Sequence, residues 1–126
     1  MLYDDIGKQP VLEQIVAHFY QLVYADSVLC PLFPADRTRV ERAQVIFLTQ
    51  LTGGPRHYDT HDSRMNLAMI HRLLPIERHH AFRWIELMEI AIYETLSNQV
   101  VAERLLERLR IGAMNVLRIC EAHREP

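Results

Sequence analysis

Residues 66–76 read NLAMIHRLLPI: Leu67, Ala68, Met69 and Ile70 lead to His71, and Leu73, Leu74 and Pro75 follow. A run this apolar is bound for an interior, yet it carries an imidazole. An unpaired polar group left in such an interior costs roughly 1–3 kcal/mol. His71 therefore needs a partner: a backbone carbonyl, a water or a metal. That choice decides whether the interior is filled by side chains alone or built around something else.

Working outward, the apolar residues recur at helical spacing. Leu12, Ile15, Val16, Phe19 and Val23 form one stripe, with Pro10 near a first turn and an end near Asp26. The segment 27-SVLCPLFPAD-36, with Pro31 and Pro34, predicts a turn-rich corner. Val40, Gln44, Phe47, Leu48 and Leu51 make the next helical face, and Thr38 with Glu41 three residues on has capping-box spacing. Gly53-Gly54-Pro55 predicts a sharp stop. The polar stretch 56-RHYDTHDSR-64 then leads into residues 66–76. Pro75 marks a boundary before a long helix expected over 77–96. A final helix is expected over 99–122, burying Leu105, Leu106, Leu109, Ala113, Val116, Leu117 and Cys120. No segment alternates with period two, so the class is all-α. Without a linker, repeat or low-complexity tract, residues 1–126 are expected to form one domain.

Composition narrows the function. A chain of 126 residues, 49% hydrophobic, can bury a real core. A net charge of −2 offers no basic surplus, and no basic recognition helix stands out, so neither nucleic acid nor an anionic membrane surface is expected as partner. No apolar run approaches the roughly 18 residues needed to span a bilayer, and the opening MLYDDIGKQP does not read as a secretory signal. Cys30 and Cys120 form no C-x-x-C pair and fit a reduced, cytoplasmic protein with inert thiols. Nucleophile-elbow and phosphate-cradling glycine motifs are absent.

Four polar side chains interrupt apolar faces: Tyr20 beside Phe19, Gln44 between Val40 and Phe47, Trp84 on the stripe with Met88 and Ala91, and His71. Each alone reads as a satisfied core residue. Four, spread over four helices, point to a lined pocket. A bare metal site is one candidate filling: His57 and His61 are four apart, and His79 and His80 are adjacent. But H-E-x-x-H is missing and no cysteine lies near, so these histidines read as solvated surface. Haem is the other candidate. Its iron takes one histidine near a helix end with apolar residues packed on the ring, and His71 among Leu67, Ile70 and Leu74 suits that role. The second imidazole nitrogen would then bond a backbone carbonyl.

At this point the chain resembles the truncated haemoglobins, and within them the second group. The matching residues, in order, are 3-YDDIG-7, 19-FY-20, 32-LFP-34, 47-FLTQ-50, 53-GGPRHY-58, His71 and Trp84. The resemblance runs from about residue 2 to about residue 96. It implies a two-over-two helical sandwich around haem b. It makes His71 the proximal ligand, Tyr20 the distal hydroxyl, Trp84 the indole aimed at the bound gas and Gln44 a third donor. Phe33 would pack on the ring and Phe47 would form the apolar wall, with Leu67 and Ile70 around His71. Val40 would stand at the distal gate, and Arg56 and Tyr58 would reach the propionates. Three departures stand out. Lys8-Gln9 follows a lone Gly7 where the group has a glycine pair, 63-SRM-65 replaces Gly-His-Pro, and Leu73-Leu74 replaces Pro-Phe.

The resemblance implies a five-coordinate haem protein that binds O2, and other diatomic gases such as NO and CO, in a polar distal pocket. The alternative is an NO dioxygenase or peroxidase-type detoxification enzyme. The chain has no room for a flavin domain, so that activity would use a separate reductase. A haem-free helical sensor is the third reading, and His71 argues against it. A monomer or small homo-oligomer is expected.

Overall fold

The computed structural model describes residues 1–55 and 74–124. The expectations for Arg56, His57, Tyr58, His61, Leu67, Ile70 and His71 fall outside the described residues. Helix α1 spans Leu2–Ile6, α2 Lys8–Tyr24, α3 Arg37–Leu51, α4 Arg78–Thr95 and α5 Gln99–Arg124. A single 3-10 turn, Cys30–Leu32, occupies the proline-rich corner between α2 and α3. No strand occurs among the described residues.

Helix α2 packs on both α3 and α4, α4 packs on α5, and the short α1 bridges α2 and α5. Two helix pairs, α2 with α3 and α4 with α5, thus meet along α2 and α4. The stripes converge as their period predicts: Leu12, Ile15, Phe19 and Val23 of α2 are buried with Met88 and Ile92 of α4 and Leu105 of α5. No helix among the described residues is long and apolar enough to cross a membrane.

One expectation at the helix ends is corrected. The N-cap of α3 is Asp36, whose carboxylate accepts from the Arg39 N–H at 3.2 Å, and not Thr38. The chain leaves the corner at Ala35 and turns helical at Arg37, so Thr38 is already inside the first turn. The N-terminal segment, read only as a motif, forms α1. Gly7 ends it with φ 119°, and Lys8 follows with φ 66°. The lysine thus takes the left-handed conformation itself, at about 1–2 kcal/mol for an L-residue.

The glycines after α3 have a packing role. A Cβ on Gly54 would lie 2.6 Å from Tyr3 Cδ1 and 2.8 Å from Thr49 Cγ2. The motif around Tyr3 and the one around Gly54 are therefore two halves of one contact. The Tyr3 N–H donating to the Thr52 carbonyl at 2.9 Å reinforces it. The buried hydroxyls of Thr49 and Thr52 bond back to the carbonyls of Val45 and Leu48, at 2.8 and 2.7 Å, so neither is left unpaired.

Candidate functional site

A cavity of about 390 Å³ opens between the helix pairs. It is lined by Tyr20 of α2, Phe33 of the corner, Val40, Gln44 and Phe47 of α3, and Trp84 of α4. Every described residue expected at the site therefore reaches one space. The α3 face explains why. Val40, Gln44, Phe47 and Leu51 follow each other at helical spacing and all line the cavity, while Leu48 turns to the core.

An aromatic cluster fixes the wall. The Phe19 ring meets Trp84 edge-on at 5.2 Å and Tyr20 at 4.8 Å, and Tyr20 meets Phe33 at 5.7 Å. Such edge contacts add about 0.5–1.5 kcal/mol each beyond area burial and lock ring orientation. The corner is tied down by the Tyr24 hydroxyl, which donates to the Pro34 carbonyl at 2.7 Å. Burial raises the Tyr24 phenol above its ordinary pKa. Asp26 anchors the corner to α4: its carboxylate accepts from Arg83 at 2.8 Å and from the Leu29 N–H at 3.0 Å.

Inside the cavity the Tyr20 hydroxyl donates to Gln44 Oε1 at 3.3 Å. Burial, then the neighbouring Tyr24 and Glu41, push the Tyr20 phenol far above its ordinary pKa, so it stays protonated. The Trp84 indole can only donate, and among the described residues no hydrogen bond to it is found. The hydroxyl, amide and indole come from three helices, His80 and Arg108 add further polar groups, and the rest of the wall is mainly aliphatic or aromatic. A mainly apolar cavity with a few convergent polar groups is the usual form of a small-molecule or cofactor site.

The reading of His80 as solvated surface is corrected, since it is half-buried and lines the cavity one helical turn before Trp84. Its Nδ1 accepts the Glu77 N–H at 2.9 Å and caps α4. Burial, then the adjacent His79, lowers its pKa. Glu77, His79 and His80 bring ligand-type atoms within 4.8 Å of one another. A metal held by His80 Nε2 would require a proton on Nδ1, where the cap already accepts one, so this cluster reads as a helix cap. Arg108 and Gly112 of α5 also line the cavity and carry no signal in the sequence reading, while Ala113 and Val116, expected in the core, are half-buried and line the cavity instead. Gly112 and Arg108 stand one and two turns before Val116, on the same side of α5.

Two helix pairs stacked around an aromatic-walled cavity, with a buried hydroxyl bonded to a half-buried amide on one side, define a small globin of the two-over-two kind. The chain belongs to the bacterial-like globin family, whose model matches residues 1–118. It is similar to the group 2 truncated haemoglobin of Bacillus subtilis (strain 168), with 33% identity over 120 residues, covering 95% of this chain and 90% of that one. Among solved structures, the group II truncated haemoglobin of Bacillus anthracis superposes with a TM-score of 0.87 at 32% identity, covering 93% of this chain and 90% of that one. The truncated oxygen-avid haemoglobin of Bacillus subtilis gives 0.84 at 34%, covering 92% and 98%. The cofactor of this family is haem b, and the chemistry of the cavity wall fits it.

Proposed function

We propose that the protein retains a diatomic gas, O2 foremost and NO or CO besides, at a five-coordinate haem iron in this cavity. In this reading His71 ligates the iron, Phe33 packs on the ring, Phe47 forms the apolar wall, and Leu67 and Ile70 surround His71. Arg56 and Tyr58 reach the propionates. Tyr20, Gln44 and Trp84 surround the gas, and Val40 stands at its entrance. Haem b, when bound, supplies an iron that takes a diatomic ligand and shifts electron density toward the ligand's outer atom.

The observation that carries the reading is the meeting of Tyr20, Gln44 and Trp84, from three helices, at one apolar cavity. The chain's own part follows from donor chemistry. Tyr20, kept protonated by burial, spends its hydrogen on Gln44 Oε1. The Gln44 amide nitrogen and the Trp84 indole remain as donors. A charge-assisted hydrogen bond contributes roughly 1.5–3 kcal/mol, on the order of ten- to hundredfold in release rate. The apolar walls keep water from competing for the same donors. Retention rather than delivery follows from two such bonds. The oxygen avidity named for the Bacillus subtilis neighbour supports the same direction. A cytoplasmic protein, monomeric or in a small homo-oligomer and kept ferrous by a separate reductase, completes the proposal.

The test is spectroscopic and kinetic. The purified protein should take up one haem with an intense Soret band, and its ferrous form should release O2 slowly. A protein that takes up no haem, or releases O2 as fast after its donors are removed as before, contradicts the proposal.

A further inference from the structure

Helix α5 runs from Gln99 to Arg124 with a glycine inside it, Gly112. Glycine is among the weakest helix formers, because it gives up the most backbone freedom and covers no surface. The two reasons that justify glycine elsewhere in this chain do not apply. Gly112 is absent from the positive-φ residues, which include Gly7 and Gly53. Nor does a neighbour crowd it: at Gly54 a Cβ would strike the Tyr3 ring, whereas at Gly112 it meets no heavy atom of the described residues within 4 Å.

What lies in front of Gly112 is the cavity. Gly112 lines it, and so do Arg108 and Val116, one turn before and one turn after, with Ala113 beside it. The α5 wall thus carries side chains above and below and a gap between them. We infer that Gly112 is a size-determining position for the cofactor: the missing side chain is the recess on the α5 wall that admits the edge of the haem ring. This rests on the haem reading above and adds a residue to it. The helix-weakening glycine is kept because a side chain there would occupy the volume the ring needs.

The experiment compares four haem-loaded proteins: the native chain, Gly112→Ala, Gly112→Leu and Asn115→Leu. The last places the same bulk on the exposed side of α5. Haem transfer to an excess of an acceptor apoglobin is timed, and far-UV helix content is read on the same samples. The expected order is a native rate for Asn115→Leu, about threefold faster loss for Gly112→Ala and about tenfold or more for Gly112→Leu, as overpacking of this kind produces. Helix content should stay unchanged. If Gly112→Leu fails to fold, Gly112→Ala decides alone: faster loss at native helix content supports the inference. Native haem retention in the Gly112 variants overturns it. So does haem loss that only tracks helix loss, because the gap would then belong to the protein's own packing. A native chain that takes up no haem overturns the haem reading, and this inference with it, and is told apart by the native sample alone.

Discussion

The hydroxyl of Tyr20 on α2 donates to Oε1 of Gln44 on α3 at 3.3 Å, across 24 residues of chain. That is long for an O–H···O bond, so the pair holds the two side chains in place without a strong claim on either. An acceptor entering the cavity can recruit Gln44, Tyr20 or both. The two residues should therefore behave as one unit. Tyr20→Phe, Gln44→Leu and the double variant should give O2 release rates whose double-mutant term departs from additivity by about 0.5 kcal/mol or more. Strict additivity in stopped-flow release would mean that the two never act on the same ligand.

His71 is the residue on which haem retention is proposed to depend. His71→Ala should lose the stoichiometric Soret band when expressed under conditions that load the native chain. His80, which lines the cavity, has its Nδ1 engaged in capping α4 and should not replace it. A variant with full haem content and a native ferrous spectrum would assign the ligand to another residue.

Contact between Tyr3 and Gly54 should be visible in stability alone. A methyl group at Gly54 would press on the Tyr3 ring and on Thr49, and relieving that contact means moving α1. Gly54→Ala should destabilise by about 1–3 kcal/mol, read as a lower midpoint in thermal or urea unfolding. An unchanged midpoint would show that α1 moves away at little cost.

Asp26 gives the fold a defined acid response. Burial alone would raise its carboxyl, but hydrogen bonds from Arg83 and the Leu29 N–H outweigh this and hold it below the ordinary value. A carboxylate with a depressed folded pKa contributes stability that is fully present above the unfolded value, about pH 4, and is lost as pH falls through the folded one. Asp26→Asn should thus be less stable than the native chain at pH 7. The gap between them should close as pH falls below about 4. Melting curves between pH 2.5 and 7 check this, and a gap that stays constant with pH would rule out the ionised pair as its source.

Helices α2, α4 and α5 were legible in the sequence because each repeats an apolar face over several turns. Helix α1 was not, since five residues are too few to show a period. Local capping was legible in kind and misplaced by position: Thr38-x-x-Glu41 has the right spacing, but Asp36 stands at the actual helix start. The harder distinction was what a face looks at. Periodicity shows that Val40, Gln44, Phe47 and Leu51 share a side, yet not that this side meets a cavity instead of a core. The polar interruptions, Tyr20, Gln44 and Trp84, carried that information, because a hydroxyl, an amide and an indole have no reason to share an interior without something to bond. Gly112 left no such mark, since a missing side chain is silent in a polarity pattern.

The central claim is that donors of this chain hold the gas, and Trp84 tests it most directly because its indole N–H can be removed while bulk is kept. Stopped-flow release of O2 and of CO should be measured for the native protein and Trp84→Phe. We expect O2 release to accelerate by roughly tenfold or more, the loss of a bond contributing at least about 1.4 kcal/mol. CO release should change much less, because CO carries little negative charge on its outer atom. Unchanged O2 release, or an equal acceleration of both gases, would make Trp84 a packing residue and contradict the account.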